Sequence, residues 1–329
     1  MVVPLSVLDL AQVGEGTTAR DSFDASVALA QLAEKSGYRR VWYAEHHNMP
    51  SIASSATSVL IAHVAAHTSS IRLGSGGVML PNHSPLTIAE QFGTLATLHP
   101  GRIDLGLGRA PGSDQTTMRA LRRDPSSAES FPQDVLELQG FLSTSTVPGV
   151  QAVPGAGTEV PLYILGSSLF GAQLAAHLGL PYANASHFSP DSLEEAVEVY
   201  RTTFRPSAQL SEPYVIAAVN AVVAPTTHRA QELFTRSLRR RVVMMVGRGR
   251  SFSEEEIDMI MESPAGRQIQ QMVKYSAVGT AAEASDYIDR FAAHAQADEV
   301  IVASAIDDRE ERLRSYRLLA EQHLHAAAA

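Results

Sequence analysis

The 329-residue chain contains no cysteine, and this absence excludes several kinds of chemistry. Disulfide bonds, thiolate nucleophiles, thiolate zinc sites and iron–sulfur clusters all require that residue. A chain without cysteine also fits a reducing cytosol, so we expect a cytoplasmic protein.

The chain also lacks a long apolar run and an excess of positive charge. No stretch approaches the roughly 18 apolar residues of a membrane-spanning helix, and Met1–Ser6 has no basic segment typical of a secretory signal. The formal charge is −9 and the pI is about 5.7. Because a weakly acidic surface gains nothing from counterion release on a polyanion, nucleic acid is a poor partner.

Short apolar runs alternate with helical patterns along the whole chain. The runs predict eight strands, at residues 2–8, 40–43, 71–80, 102–107, 162–165, 181–185, 215–223 and 299–303. Strands that alternate with helices imply a parallel sheet. The count favours a single α/β domain over residues 1–329, a (β/α)8 TIM barrel, with a doubly wound open sheet as the alternative.

Three polar segments late in the chain have weak patterns. Residues 241–275 are long for a connection and are predicted to form a mobile insertion or lid. The basic run Arg239–Arg241 is interpreted as a solvated face or as part of this insertion. The tail, residues 323–329, is expected to fray.

The first candidate for chemistry follows the second strand, where a barrel places functional residues. Glu45, His46 and His47 stand there in sequence. An imidazole can move protons near neutral pH, and a carboxylate can fix its tautomer. Loop histidines held in ordinary hydrogen bonds are the other interpretation.

The third strand carries glycines inside an apolar run. Gly76 and Gly77, two residues before Met79, indicate a bulge or a close approach of the backbone to a flat ligand. A barrel corner that needs small residues explains them equally.

Two further loops suit an anion. Arg109 lies among glycines after the fourth strand, where backbone N–H groups and a guanidinium can meet oxygen atoms. Ser167 and Ser168, between Gly166 and Gly171, lead directly into a helix. Hydroxyls at that position either cap the helix or bind a phosphate.

Histidines at helical spacing elsewhere do not indicate a metal. His63 and His67 are four residues apart, but no carboxylate accompanies them. We therefore predict no metal site.

These loops together resemble the bacterial luciferase-like monooxygenase family, in its shorter single-component form. The resemblance lies in order and spacing over most of the chain, strongest in residues 1–190 and thinnest in 240–275. Its most specific elements are Val41–His47 and the glycine-rich third strand through Leu80-Pro81.

The resemblance implies a barrel that binds FMN. It assigns a catalytic acid/base role to His46, with His47 and Glu45 as supports. It also implies a non-proline cis peptide at Gly76–Gly77. The predicted cofactor-binding residues are Gly76, Gly77, Met79, Arg109, Gly166, Ser167, Ser168 and Gly171, of which Arg109 and the two serines would meet the phosphate. A reactive cysteine of luciferase falls at Gly108 and a phosphate-contacting threonine at Gly171, which puts light emission in doubt.

The implied reaction uses reduced FMN from a separate flavin reductase. Oxygen would add to give a C4a-peroxyflavin, and one oxygen atom would enter a small organic substrate. The alternatives are hydride transfer with the deazaflavin F420 and a non-catalytic flavin-binding protein. Residues 9–16, 48–51 and 187–188 and the segment after Arg240 would face the substrate. A homodimer through early helices is allowed by the small-residue face at Ala53, Ala56, Ala62 and Ala65.

Overall fold

Nine parallel strands form the sheet of the computed structural model, which describes residues 2–110, 114–144, 149–247, 250 and 252–325. The strands are β1 (Leu5–Asp9), β2 (Arg40–Tyr43), β3 (Arg72–Met79), β4 (Ile103–Gly108), β5 (Leu162–Gly166), β6 (Tyr182–Asn184), β7 (Val215–Val223), β8 (Ser276–Gly279) and β9 (Glu299–Ala303).

Eight of these strands close into a barrel, as the sequence predicted. Neighbours pair in the order β6-β5-β4-β3-β2-β1-β9-β7, and β6 also pairs with β7 to complete the ring. The first and last strands of the chain, β1 and β9, are neighbours in this ring and pair in parallel, with Leu5 opposite Val300 and Leu8 opposite Ala303. The (β/α)8 barrel is confirmed, and the open sheet is excluded.

The strand that lies outside the ring of eight, β8, was not predicted from the sequence. It pairs with the carboxyl half of β7, from Asn220 opposite Ser276 to Val223 opposite Gly279. Its sequence has four residues and alternates between half-buried and buried, so it gives no continuous apolar run.

The described residues form twelve α-helices outside the barrel, and a large apolar core lies between helices and strands. They are α1 (Ala19–Lys35), α2 (Thr57–Ala65), α3 (Pro85–Leu98), α4 (Gln115–Ala120), α5 (Phe131–Leu142), α6 (Leu169–Leu178), α7 (Leu193–Thr203), α8 (Thr227–Gly247), α9 (Glu254–Glu262), α10 (Pro264–Met272), α11 (Ala281–His294) and α12 (Arg309–His323). In the part of the chain that the structure describes, no helix is long and apolar enough to cross a membrane.

The segment at residues 241–275 contains regular structure. Helix α8 extends into this segment as far as Gly247, and α9 and α10 follow it. At the chain's end the fraying predicted from His323 onward is wrong for that residue, which is buried and hydrogen-bonded to Ser285 and to the Val3 carbonyl. Residues 326–329 lie outside the described part of the chain.

Side chains that point into the barrel change in character along its axis. At the amino-terminal end, buried Arg40 pairs with Asp104 at 2.8 Å and with Glu299 at 2.9 Å. In the middle, the rings of Trp42 and Tyr163 meet edge to face with centroids 4.9 Å apart. Towards the carboxyl end the inward residues become small, and the resulting space opens a cavity; they are Ala44, Ala183, Ala218 and Ala303.

Candidate active site

A cavity of about 500 Å³ lies at the carboxyl end of the barrel. Its floor is formed by Trp42 and its walls by loops that follow the strands. The cavity brings together most of the predicted site residues: His46, Gly76, Gly77, Met79, Arg109, Gly166, Ser167, Ser168 and Gly171. Glu45 and His47 do not line it.

The third strand presents bare backbone to the cavity. The Gly76–Gly77 peptide bond is cis, as the resemblance implied, and the pairing of β3 with β4 shifts register between Ser75 and Val78. A Cβ on Gly76 would lie 2.9 Å from the Trp42 Cβ, and one on Gly77 would lie 2.8 Å from the Gly106 carbonyl oxygen. Side chains are therefore excluded at both positions, which leaves a surface suited to a flat ring.

Glu45 lies beneath this surface and holds it in place. Its carboxylate accepts hydrogen bonds from the backbone N–H of Met79 at 3.0 Å and from the His47 and His83 rings at 2.8 and 2.9 Å. Burial raises the pKa of Glu45, but the bonds from His47 and His83 outweigh it and hold the pKa at about 2. Glu45 is thus an anion that fixes the end of β3.

His83 was missed by the sequence analysis. It follows Leu80–Asn82, a 3-10 turn directly after β3, and its only sequence signal is this position at a strand end. Possible ligand atoms of Glu45, His47 and His83 lie within 4.8 Å of one another, a spacing that also suits a cation. The hydrogen bonds that Glu45 already accepts account for this arrangement.

The two adjacent histidines have different surroundings. The His46 ring lines the cavity, and in the described part of the chain its Nδ1 is buried without a hydrogen-bond partner. Burial lowers the pKa of His46, so the ring is neutral at pH 7. The His47 ring instead contacts Glu45, and this hydrogen bond raises the pKa of His47. Of these two adjacent residues, His46 is the one whose ring can exchange a proton with a ligand in the cavity.

One end of the cavity is suited to an anion. The guanidinium carbon of Arg109 lies 4.0 Å from the centroid of the Phe170 ring, which directs the charge towards the start of α6. Ser168 is the N-cap of this helix, yet its side chain makes no capping hydrogen bond. The first N–H groups of α6 and the serine hydroxyls are therefore available to a ligand. Residues 111–113, which belong to the predicted Arg109 loop, lie outside the described residues.

The opposite wall comes from β6, β7 and α8. It includes His187, Asn220 and Arg241. His187 was predicted only as part of a substrate-facing loop, and Asn220 was not predicted. The interpretation of Arg239–Arg241 as a solvated face is wrong for Arg240 and Arg241, which line the cavity. The other interpretation of this run, as part of a mobile insertion, stays a prediction.

His187 is a neutral imidazole under ordinary conditions. Burial, together with the charges of Arg241 and His46, lowers its pKa to about 3. Its backbone carbonyl accepts a 2.7 Å hydrogen bond from the Asn220 amide, which joins the β6 loop to β7.

Acidification from pH 7 to pH 5 is expected to destabilise the protein through His187. As the pH falls below 6.5, the unfolded chain binds the proton first, because the folded pKa is about 3. The stabilisation is complete above that pH and is lost progressively as the pH falls towards 3. This residue should lower the free energy of unfolding by about 2 kcal/mol over the interval. Urea titrations of the parent and of His187→Asn at both pH values measure it; identical pH dependence of the two proteins would contradict the assignment.

Known proteins resemble the chain over almost its full length. The family described as luciferase-like monooxygenase matches residues 3–315. A protein of Escherichia coli K12 named luciferase-like monooxygenase is 49% identical over 320 residues, 96% of each chain. The N-acetyl-S-alkylcysteine monooxygenase of Bacillus subtilis is 33% identical and is covered to 99%, as is this chain.

Solved structures agree with this assignment. Apo-MsnO8 superimposes with a TM-score of 0.87 at 38% identity, over 97% of this chain and 98% of that one. Two further structures share the fold alone, each at 16% identity. The FMN complex of the oxygenating constituent of 3,6-diketocamphane monooxygenase has a TM-score of 0.72 over 98% of this chain and 97% of that one. An F420-dependent secondary alcohol dehydrogenase has a TM-score of 0.70 over 98% of each chain. The chain therefore belongs to the luciferase-like monooxygenase family.

Proposed function

We propose that the protein is a monooxygenase that uses reduced FMN and O2 to insert one oxygen atom into a small organic molecule, the second atom leaving as water. The observation that carries this proposal is the buried Nδ1 of His46, which has no hydrogen-bond partner among the described residues, in the cavity that the bare Gly76–Gly77 backbone also lines. Bound reduced flavin would supply the electrons that activate oxygen.

The cavity fits a flavin at both of its ends. A flat ring system needs a surface without side chains. The backbone at Gly76 and Gly77, where close contacts exclude a Cβ, provides such a surface. A phosphate needs cations and N–H donors, and these come from Arg109 and the uncapped start of α6. Gly166 and Gly171 also line the cavity, and because neither has a side chain, only backbone faces the ligand there.

His46 would hold or move the proton that the reaction requires. A buried neutral imidazole has one nitrogen that donates and one that accepts, and either role is open at Nδ1. Glu45 would act indirectly, because it fixes the Met79 backbone next to the Gly76–Gly77 surface and orients His47. It is a positioning residue in this proposal.

The enclosed barrel mouth would exclude water during the reaction. Arg240 on α8 donates a 2.8 Å hydrogen bond to the Val13 carbonyl in the loop after β1 and forms an ion pair with Asp307 after β9. We propose that the segment 241–275, which begins beside this anchor, acts as a lid. A separate flavin reductase would deliver the reduced FMN.

Ligand titration of the apoprotein tests the proposal. Trp42, the only tryptophan, lines the cavity, so its fluorescence should report ligands that enter. Under anaerobic conditions we expect reduced FMN to bind more tightly than oxidised FMN or F420. Riboflavin, without the phosphate, should bind about tenfold more weakly than FMN, and Arg109→Gln should abolish that difference.

Oxygen consumption with a flavin reductase then separates an enzyme from a binding protein. Substrate-dependent uptake beyond the oxidation of free flavin supports the monooxygenase. Preferential binding of F420 would overturn the FMN assignment, and tight FMN binding without substrate oxidation would favour a flavin carrier.

A further inference from the structure

Two adjacent arginines on α8, Arg240 and Arg241, line the cavity, and among the residues that the structure describes only Arg240 has a counter-ion. Arg240 contacts Asp307 and the Val13 carbonyl, so both an anion and a neutral acceptor serve it. Arg241 is half-buried and faces the same cavity. Among the residues that the structure describes, it forms no hydrogen bond and no ion pair.

No acidic side chain of this protein remains to serve Arg241. Residues 1, 111–113, 145–148, 248–249, 251 and 326–329, the part of the chain not described, contain neither aspartate nor glutamate. Removing a guanidinium from water without a counter-ion is costly, and burial lowers the pKa of Arg241 with no neighbouring carboxylate to raise it. The missing negative charge is thus expected on a ligand.

The proposed cofactor does not meet this need. Its phosphate end lies at Arg109 and the start of α6, on strands β4 and β5, whereas Arg241 lies beside His187, after β6. His187 is neutral, so it neither competes for an anion nor supplies one.

The wall next to Arg241 is largely apolar. Met49, Ile52, Met244 and Met272 line this mouth of the cavity. Methionine side chains adapt to apolar groups of different shape. This surface suits a carbon chain or ring rather than a sugar or another strongly polar body.

We infer that the substrate is a small organic anion, an apolar molecule with one carboxylate that pairs with the Arg241 guanidinium. The planar guanidinium can donate two parallel hydrogen bonds to the two oxygens of a carboxylate, which fixes the direction in which the apolar part extends. The inference rests on the proposed function, since it names the substrate class for the same cavity.

The test uses a matched pair of probes on the FMN-loaded protein. Hexanoate and hexanamide have the same length and differ in charge, and calorimetric titration measures their affinities. We expect hexanoate to bind about tenfold more tightly than hexanamide, and Arg241→Gln to remove this preference. Arg239→Gln is the control, because Arg239 loses the same charge from the same helix but contacts Asp258 and Glu254 outside the cavity. Arg241→Lys should retain part of the preference.

Each result bears on one of the two proposals. Equal binding of hexanoate and hexanamide by the parent protein would overturn the anion site. Loss of FMN affinity in Arg241→Gln, measured by Trp42 fluorescence, would also overturn it, since the residue would then serve the cofactor. Tighter binding of hexanesulfonate than of hexanoate would replace the carboxylate with a tetrahedral anion and so contradict the stated class. Failure of the parent to bind FMN, with the hexanoate preference intact in the apoprotein, would remove the proposed cofactor and leave the anion site standing.

Discussion

Replacement of His46 by alanine is expected to lower kcat about 100-fold or more and to leave the affinity for reduced FMN within about threefold of the parent value. The ring is one of two neutral imidazoles in the cavity, with that of His187, whose Nδ1 has no partner among the described residues. Its loss removes a proton donor or acceptor and leaves unchanged both the Gly76–Gly77 backbone surface and the end of the cavity, at Arg109, that is suited to an anion. Stopped-flow turnover and anaerobic flavin titration measure the two quantities separately.

Added imidazole should partly restore the activity of His46→Ala, because the substitution leaves space of the right shape in the cavity wall. His47→Asn is the neighbouring control: it keeps a donor towards Glu45 and leaves the cavity lining unchanged, so kcat should fall much less. Turnover of His46→Ala at the parental rate would refute the proton-handling role.

Replacement of Arg40 by methionine is expected to lower the free energy of unfolding by about 3–5 kcal/mol. Asp104 and Glu299 are both fully buried, and Arg40 is the cation between them. Methionine fills much of the same volume but leaves two carboxylates without that charge at the amino-terminal end of the barrel. Urea denaturation followed by circular dichroism measures the change.

Arg39→Met provides the matched comparison. The Arg39 side chain is 47% exposed and its Nε lies 3.6 Å from the Glu299 carboxylate, so its loss should cost less than about 1 kcal/mol. Similar destabilisation by both substitutions would show that Arg40 is not the principal counter-charge of the buried carboxylates.

The barrel could be predicted because its strands are buried on both faces. β7, with nine buried residues, and β9, with five, are apolar apart from Asn220 and Glu299, a pattern typical of strands covered on both faces. β8 gives no such pattern, because it pairs only along the carboxyl half of β7 and its residues alternate between half-buried and buried positions. The end of helix α8 was assigned to the insertion 241–275 because its last turns mix arginines and exposed methionines, such as Met244, without one apolar face.

The candidate site could be predicted only where several loop residues stand together. Gly76–Gly77 and Ser167-Ser168 are runs, and a run at a strand end is visible in sequence. His83 and Arg241 are single residues whose importance depends on what lies across the cavity. Arg240 pairs with Asp307, whereas Arg241 has no partner in the part of the chain that the structure describes. This contrast depends on which face of α8 each residue occupies, and the basic run itself does not predict it.

The pairing of β1 with β9 has a consequence for how the chain is made. The two strands are joined by contacts such as that of the Ser6 hydroxyl with Glu299, 293 residues apart. During synthesis the ring cannot close until residues 299–303 have left the ribosome, and until then β1 and β7 each keep an unpaired edge. Contacts so distant in sequence form slowly, and open parallel edges favour aggregation. The nascent protein is therefore open to self-association through these edges until β9 has been synthesised and has paired with β1 and β7.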